Sequence, residues 1–145
     1  MTIRTPSNAV LLKPDALPRY ERGGGASTTP LVTPAVGARS FITGYTAFSG
    51  GAEIPYHSHN CEESVVLMEG RAVLDIDGHE YELKPHEATY IPPGISHRFR
   101  NLSEAEPMKI LWIYAGVQVT RTFADSGKTV EHLSAADLMG IDSSG

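Results

Sequence analysis

The chain has 145 residues, of which 41% are hydrophobic and 20% charged, and a formal net charge of −5. That length supports one domain with a real core, and the composition fits an ordinary soluble globular protein rather than a disordered or membrane-embedded one. A negative charge without any lysine or arginine run argues against nucleic acid or anionic membrane as a partner, which leaves small molecules as the expected ligands.

In chain order, residues 1–37 carry "KPDALP", "RGGGASTTP" and "TPAVG", where proline and glycine recur too often for a regular helix. This stretch reads as an N-terminal arm with one or two short strands. The start also lacks the apolar run of a signal peptide, and no later run nears the roughly eighteen apolar residues of a membrane span. Cys61 is the only cysteine, so no internal disulfide can form; a cytoplasmic location is expected. Residues 38–117 change texture. "FITGYTAF", "SVVLM", "RAVLDI", "HEYEL", "ATYI", "HRFRN" and "MKILWIYAG" are short β-rich runs separated by turn residues, the pattern of an antiparallel sandwich or barrel. Within them Asp77-Gly78 is the strongest two-residue hairpin signal, because both turn positions need positive φ. Residues 118–145 form a C-terminal segment, with Ser134 placed to cap a short helix over "AADLM".

Chemistry concentrates in "GGAEIPYHSHNCEESVVLMEG". If residues 57 to 59 are extended, His57 and His59 share a face, because strand side chains alternate with period two. Glu63 follows four residues later, across a slight bend, and its carboxylate can reach the same point. His97 follows the turn forced by Pro92-Pro93-Gly94, and closing a small β-barrel would bring it opposite the first three. Glu62 breaks the period and should turn away. Cys61 suits a small buried apolar role better than a soft ligand.

These two segments resemble the paired motifs of the cupin superfamily. The first motif falls on Gly51, His57, His59, Glu63 and Gly70; the second on Pro92, Gly94, His97 and Asn101, with His86 where its leading glycine usually stands. The resemblance implies an all-β, jelly-roll β-barrel, a metal held by His57, His59, Glu63 and His97, and frequent homodimers. Independently, imidazole and carboxylate donors suit one divalent transition metal, Fe, Mn, Ni, Cu or Zn, rather than Ca or Mg. Four protein ligands on an octahedral ion leave two positions open, whereas a tetrahedral ion would be closed.

Candidate pocket walls are Phe99, which shares the face of His97, and Trp112, although parity alone leaves open whether Ile110, Trp112 and Tyr114 or Leu111 and Ile113 point inward. Tyr45, Tyr56 and Tyr90 could each bring a phenol near the site. Arg98 and Arg100 should face out. Arg121 could meet an acidic substrate if its segment returns over the barrel, a surface ion pair being the simpler account. His79, His86 and His132 read as turn or surface residues. The expected function is a small metalloenzyme on a compact organic substrate, oxygenase-type chemistry favoured; the alternatives are a non-redox lyase, decarboxylase or isomerase and a non-catalytic ligand-sensing module.

Overall fold

The computed structural model of the chain describes residues 2–132; the helix expected after Ser134 lies outside them. The described residues contain β1 (Thr2–Arg4), β2 (Val10–Leu12), β3 (Tyr20–Gly23), β4 (Ala26–Pro30), β5 (Ile42–Phe48), β6 (His57–His59) and β7 (Glu63–Glu69). They continue with β8 (Ala72–Ile76), β9 (His79–Leu83), β10 (Ala88–Ile91), β11 (His97–Asn101), β12 (Met108–Tyr114), β13 (Thr120–Phe123) and β14 (Thr129–Glu131). Each β-rich run of the sequence has become a strand. No helix among them is long and apolar enough to cross a membrane.

Two antiparallel six-stranded sheets form a jelly roll, one in the order β10-β7-β12-β5-β4-β3 and the other β14-β13-β6-β11-β8-β9. β1 and β2 make a separate hairpin. The N-terminal segment thus contributes more than an arm: β4 pairs along β5 from Ala26↔Phe48 to Pro30↔Gly44, extending the chain's own sheet. At the other end, β13 pairs with β6, closing over the first histidine pair.

Alternation decides the core. In β5, β11 and β12, and in β7 as far as Leu67, every second residue is buried. Phe48, Val65, Leu67, Ile110 and Trp112 from one sheet therefore pack against Leu74 and Phe99 from the other. Each large apolar side chain so buried stabilises the fold by about 1.5–3 kcal/mol. β12 turns Ile110, Trp112 and Tyr114 inward, which settles the parity the sequence leaves open. Gly44 is required beneath this layer, because a Cβ there would lie 2.2 Å from the Trp112 ring.

The loops are held by polar side chains. Asn101 donates from Nδ2 to the carbonyls of Ser49 (3.0 Å) and Glu106 (2.7 Å) and accepts from the Ser103 amide (3.0 Å), tying two loops to the end of β11. Asp77 and Gly78 take φ of 50° and 82°, the two left-handed positions expected of the β8–β9 hairpin. His86 takes φ 77° with its side chain exposed, while its amide donates to Leu67 O at 2.6 Å. The backbone turn that glycine would make freely is made here by histidine, at a cost of about 1–2 kcal/mol for the left-handed region. Glycine would relieve that strain and give back part of it as unfolded-chain entropy. His86→Gly is expected to stabilise the fold by about 0.5–1 kcal/mol, read as a higher urea midpoint at unchanged slope; His86→Val should lower it, β-branched residues being least tolerant of positive φ.

Candidate metal centre

β6 presents His57 and His59 to the interior, with Ser58 between them facing outward, as the buried, half-buried, buried pattern of the strand requires. His97 opens β11 and is the Cα partner of His57, so the third imidazole stands beside the first on the same sheet rather than opposite it. Glu63 is the residue that comes from across. The corner at residues 60–62 carries the chain from β6 into β7 of the facing sheet, and the Glu63 carboxylate reaches back. All four side chains are buried, between 1% and 5% exposed.

Each imidazole is held by its outer nitrogen. His57 Nδ1 donates to Pro55 O (2.7 Å), His59 Nδ1 to Thr120 O (3.0 Å) and His97 Nδ1 to Ile95 O (2.9 Å). With the proton of a neutral ring committed to Nδ1, Nε2 carries a lone pair, the form in which histidine binds metals. Those inner atoms converge: one ligand nitrogen from each of His57, His59 and His97 lies within 4.8 Å of the others. Glu63 Oε1 is 2.7 Å from His97 Nε2, and Oε2 is 3.8 Å from His59 Nε2.

The electrostatics agree with a neutral His57 and a neutral His59 beside a carboxylate. Burial, then Arg121 and the neighbouring histidines, push His57 well below its ordinary value. Burial is the chief cause for His59 too, which is lowered to about 4, with Glu63 opposing and Arg121 and His97 adding. For Glu63 burial alone would raise the value, but the contacts with His97, His59 and Arg121 outweigh it and hold the carboxyl below its usual range. With the ring protons of His59 and His97 on Nδ1, their Nε2 atoms and Glu63 Oε1 are buried without a hydrogen bond among the described residues. Buried acceptors facing one another without donors cost several kcal/mol; a cation at their focus resolves that cost. The residues therefore fit a divalent metal.

Aromatic side chains wall the cluster. Tyr114 lies 4.6 Å from the His59 ring and stacks on Trp112 at 5.0 Å, and Phe99 packs edge-on against His97. These side chains, with Arg22, Thr46, Ile54, Val65, Ile110 and Arg121, enclose a cavity of about 10 Å³. That is room for roughly one water or ion. Beyond it a second cavity of about 630 Å³ opens at the surface among Ile42, Asn60, Val119, Thr120, Glu131 and His132. His132 stands between the two, its ring edge-on to Tyr114 (4.9 Å) and Trp112 (5.1 Å).

Phe99 and Trp112 thus lie at the cavity, and Tyr45 and Tyr90 do not. Tyr45 alternates outward on β5 under Lys109, and Tyr90 is 62% exposed, its hydroxyl donating to Glu62. The physical reason is parity: each sits one residue off the inward set of its strand. Tyr56 lies beneath Arg98, which faces out to Asp75 and Glu53 as expected, and Arg100 reaches Glu80. Cys61 is half-buried against the core, its thiol pushed up first by burial. The surface ion pair suggested for Arg121 is corrected, since the side chain is 3% exposed and lines the inner cavity. Arg22 and His132 were not legible as site residues. Alternation in "TRTF" could have placed Arg121 with inward Phe123; nothing in the local pattern singles out a histidine in the turn after β14.

A buried trio of imidazoles beside a carboxylate, inside a two-sheet jelly roll, makes a candidate metal centre in a small β-sandwich. The comparisons name it: the profile described as "Cupin domain" matches residues 44–114, and the chain belongs to the cupin superfamily. Polyketide synthase CurC of Streptomyces cyaneus is 38% identical over 91 residues, 61% of this chain and 58% of CurC. Protein SchB of Streptomyces halstedii is 30% identical over 103 residues, 70% of this chain and 75% of SchB. Among solved structures, the polyketide cyclase RemF from Streptomyces resistomycificus superposes with a TM-score of 0.67 at 18% identity, over 92% of each chain.

The depressed His59 gives a pH dependence with a definite sign. Between about 4 and the unperturbed 6.5 the unfolded chain binds a proton that the folded chain refuses, so stability rises with pH there and is lost on acidification. His57 and Glu63, also lowered, act in the same direction. Metal-free protein is expected to lose on the order of 3 kcal/mol from His59 alone between pH 7 and pH 4. Urea unfolding across that range should show the slope, and His59→Gln should flatten it.

Proposed function

We propose that this cupin is a metal-dependent enzyme acting on an enolisable carbonyl compound of the polyketide type, by non-redox chemistry such as cyclisation or isomerisation. The observation that carries the metal is the set of three backbone-anchored imidazoles whose Nε2 atoms converge beside Glu63. His57, His59, His97 and Glu63 would hold one divalent ion. When bound, such an ion supplies Lewis acidity toward a carbonyl or enolate oxygen. The substrate class is supported by the relatives, CurC being named a polyketide synthase, although this chain spans only 58% of its length.

The chain's own residues do the rest. The inner cavity has room for roughly one ion or one oxygen-sized group, and Trp112, Tyr114 and Phe99 form its apolar wall, which limits water there and strengthens electrostatic contacts. The 630 Å³ outer cavity is within the range that accepts a compact organic body, and Asn60, Thr120 and Glu131 offer it polar contacts. Oxygenase chemistry is the second reading, favoured by a histidine-rich donor set that also suits redox-active iron or manganese.

Protein purified and reconstituted with a divalent transition metal is expected to hold about one ion per chain by elemental analysis; His57→Ala and His97→Ala should each lower the occupancy at least tenfold. Retention by both variants would refute the ligand assignment. Reaction type separates on oxygen: turnover of a panel of small β-diketones and polyketones should persist under strict anaerobiosis. Consumption of one O₂ per turnover would move the assignment to the oxygenase.

A further inference from the structure

His132 meets both cavities at once. On one side it lines the outer cavity together with Val119, Thr120 and Glu131. On the other its ring stands edge-on to Tyr114 (4.9 Å) and Trp112 (5.1 Å), and its Nε2 lies 3.5 Å from Arg22 Nη2. Those three residues all line the inner cavity. The imidazole is therefore part of the partition between the space of about 10 Å³ at the histidine cluster and the space of about 630 Å³ that opens at the surface.

The inner space has room for roughly one water or ion. Once an ion is seated there, a substrate's reacting group can approach it only if a wall gives way. The walls differ in what their displacement breaks. Trp112 and Tyr114 lie on β12, which is paired along both edges with β5 and β7, and Phe99 lies on β11, paired with β8, so moving any of them opens a sheet. His132 sits in the turn after β14, a three-residue strand at the end of its sheet. Its amide donates to Val119 O (2.9 Å), which anchors the backbone while the ring turns about its own side-chain bonds. Edge-on ring contacts are weak beside a strand ladder. The outer cavity has the volume to receive a displaced imidazole.

We propose that His132 is the gate of the site: a substrate body rests in the outer cavity, and its carbonyl end enters the inner one when the His132 ring swings aside. The gate rests on the metal-site reading for its purpose, whereas the partition itself needs no ion. It also gives His132 a part in specificity, because the opening left by one imidazole passes a narrow, flat group such as a carbonyl or enol and stops a branched one.

Trp112 is the chain's single tryptophan, is 2% exposed and stands against His132, so its fluorescence reads the passage without a metal. The full metal-free chain titrated with acrylamide is expected to be quenched weakly. His132→Ala should raise the quenching constant at least threefold, and His132→Phe, which restores a ring, should return it to near the parent value. Loaded with Co²⁺ and transferred into excess chelator, His132→Ala should lose the ion at least tenfold faster than the parent. A gate speeds uptake and release by the same factor, so cobalt affinity should be unchanged. Parent-like quenching with parent-like cobalt release in His132→Ala overturns the proposal, and so does faster release with unchanged uptake, which would make His132 part of the ion's own binding. If the parent holds no cobalt, the metal reading fails and the quenching series alone decides the gate. Should His132→Ala fail to fold, His132→Asn, smaller than imidazole, carries the same expectations.

Discussion

Three hydrogen bonds on the far side of the imidazoles govern the interior of this protein. A neutral histidine has one N–H, and His57, His59 and His97 each give it to a backbone carbonyl. Two of those carbonyls, Pro55 and Ile95, lie two residues before their histidine, so local turn geometry at each strand's start sets the ring. The third, on Thr120, arrives from β13 and depends on the whole second sheet being assembled. Once these bonds form, three lone pairs must point into the core. An apolar filling could not satisfy them, and the fold places a carboxylate there, which sharpens the demand for a positive charge.

That demand couples the two sheets. The histidines stand on one sheet and Glu63 on the other, joined by a corner of three residues, so the cluster is shut only when the sheets close. Around it the packing is conventional: Phe48, Phe99, Leu67 and Met108 are almost wholly buried and supply the hydrophobic stabilisation that holds the polar centre together. Gly44 shows how tight the inner layer is, since the Trp112 ring occupies the place of its missing side chain. Placing Trp112 there also fixes Thr46, and through Thr28 the head of Arg22, so apolar packing positions a cation.

The strands, the hairpin at Asp77-Gly78 and the four clustered side chains were readable because period two and the His-x-His spacing are local features. His86 was readable as a departure, and its positive φ shows that the turn survives the change of residue. What local pattern could not give was the pairing of distant strands. His97 was expected opposite His57 and stands beside it, because the order of strands within a sheet does not follow from spacing. Tyr45 and Tyr90 were drawn toward the site by chemistry alone and sit outside it by one step of parity. Arg22 was illegible for the same reason in reverse, whereas Arg121 was named only on the condition that its segment return over the barrel. A charged residue on a short strand reads as surface until the neighbouring strand that covers it is known.

The residues thereby divide along the chain. His57, His59, Glu63, His97, Phe99 and Trp112 all fall within residues 44–114, the stretch that matches the family. Arg22, Arg121 and His132 all fall outside it, on β3, β13 and the turn after β14, which fold onto the edges of the two sheets. The matched stretch thus carries the whole candidate metal cluster, while the flanking segments add Arg22 and Arg121 to the lining of the inner cavity and Glu131 and His132 to that of the outer one. Residues that would discriminate among substrates in this chain are therefore to be sought in its first and last strands rather than in the motif histidines.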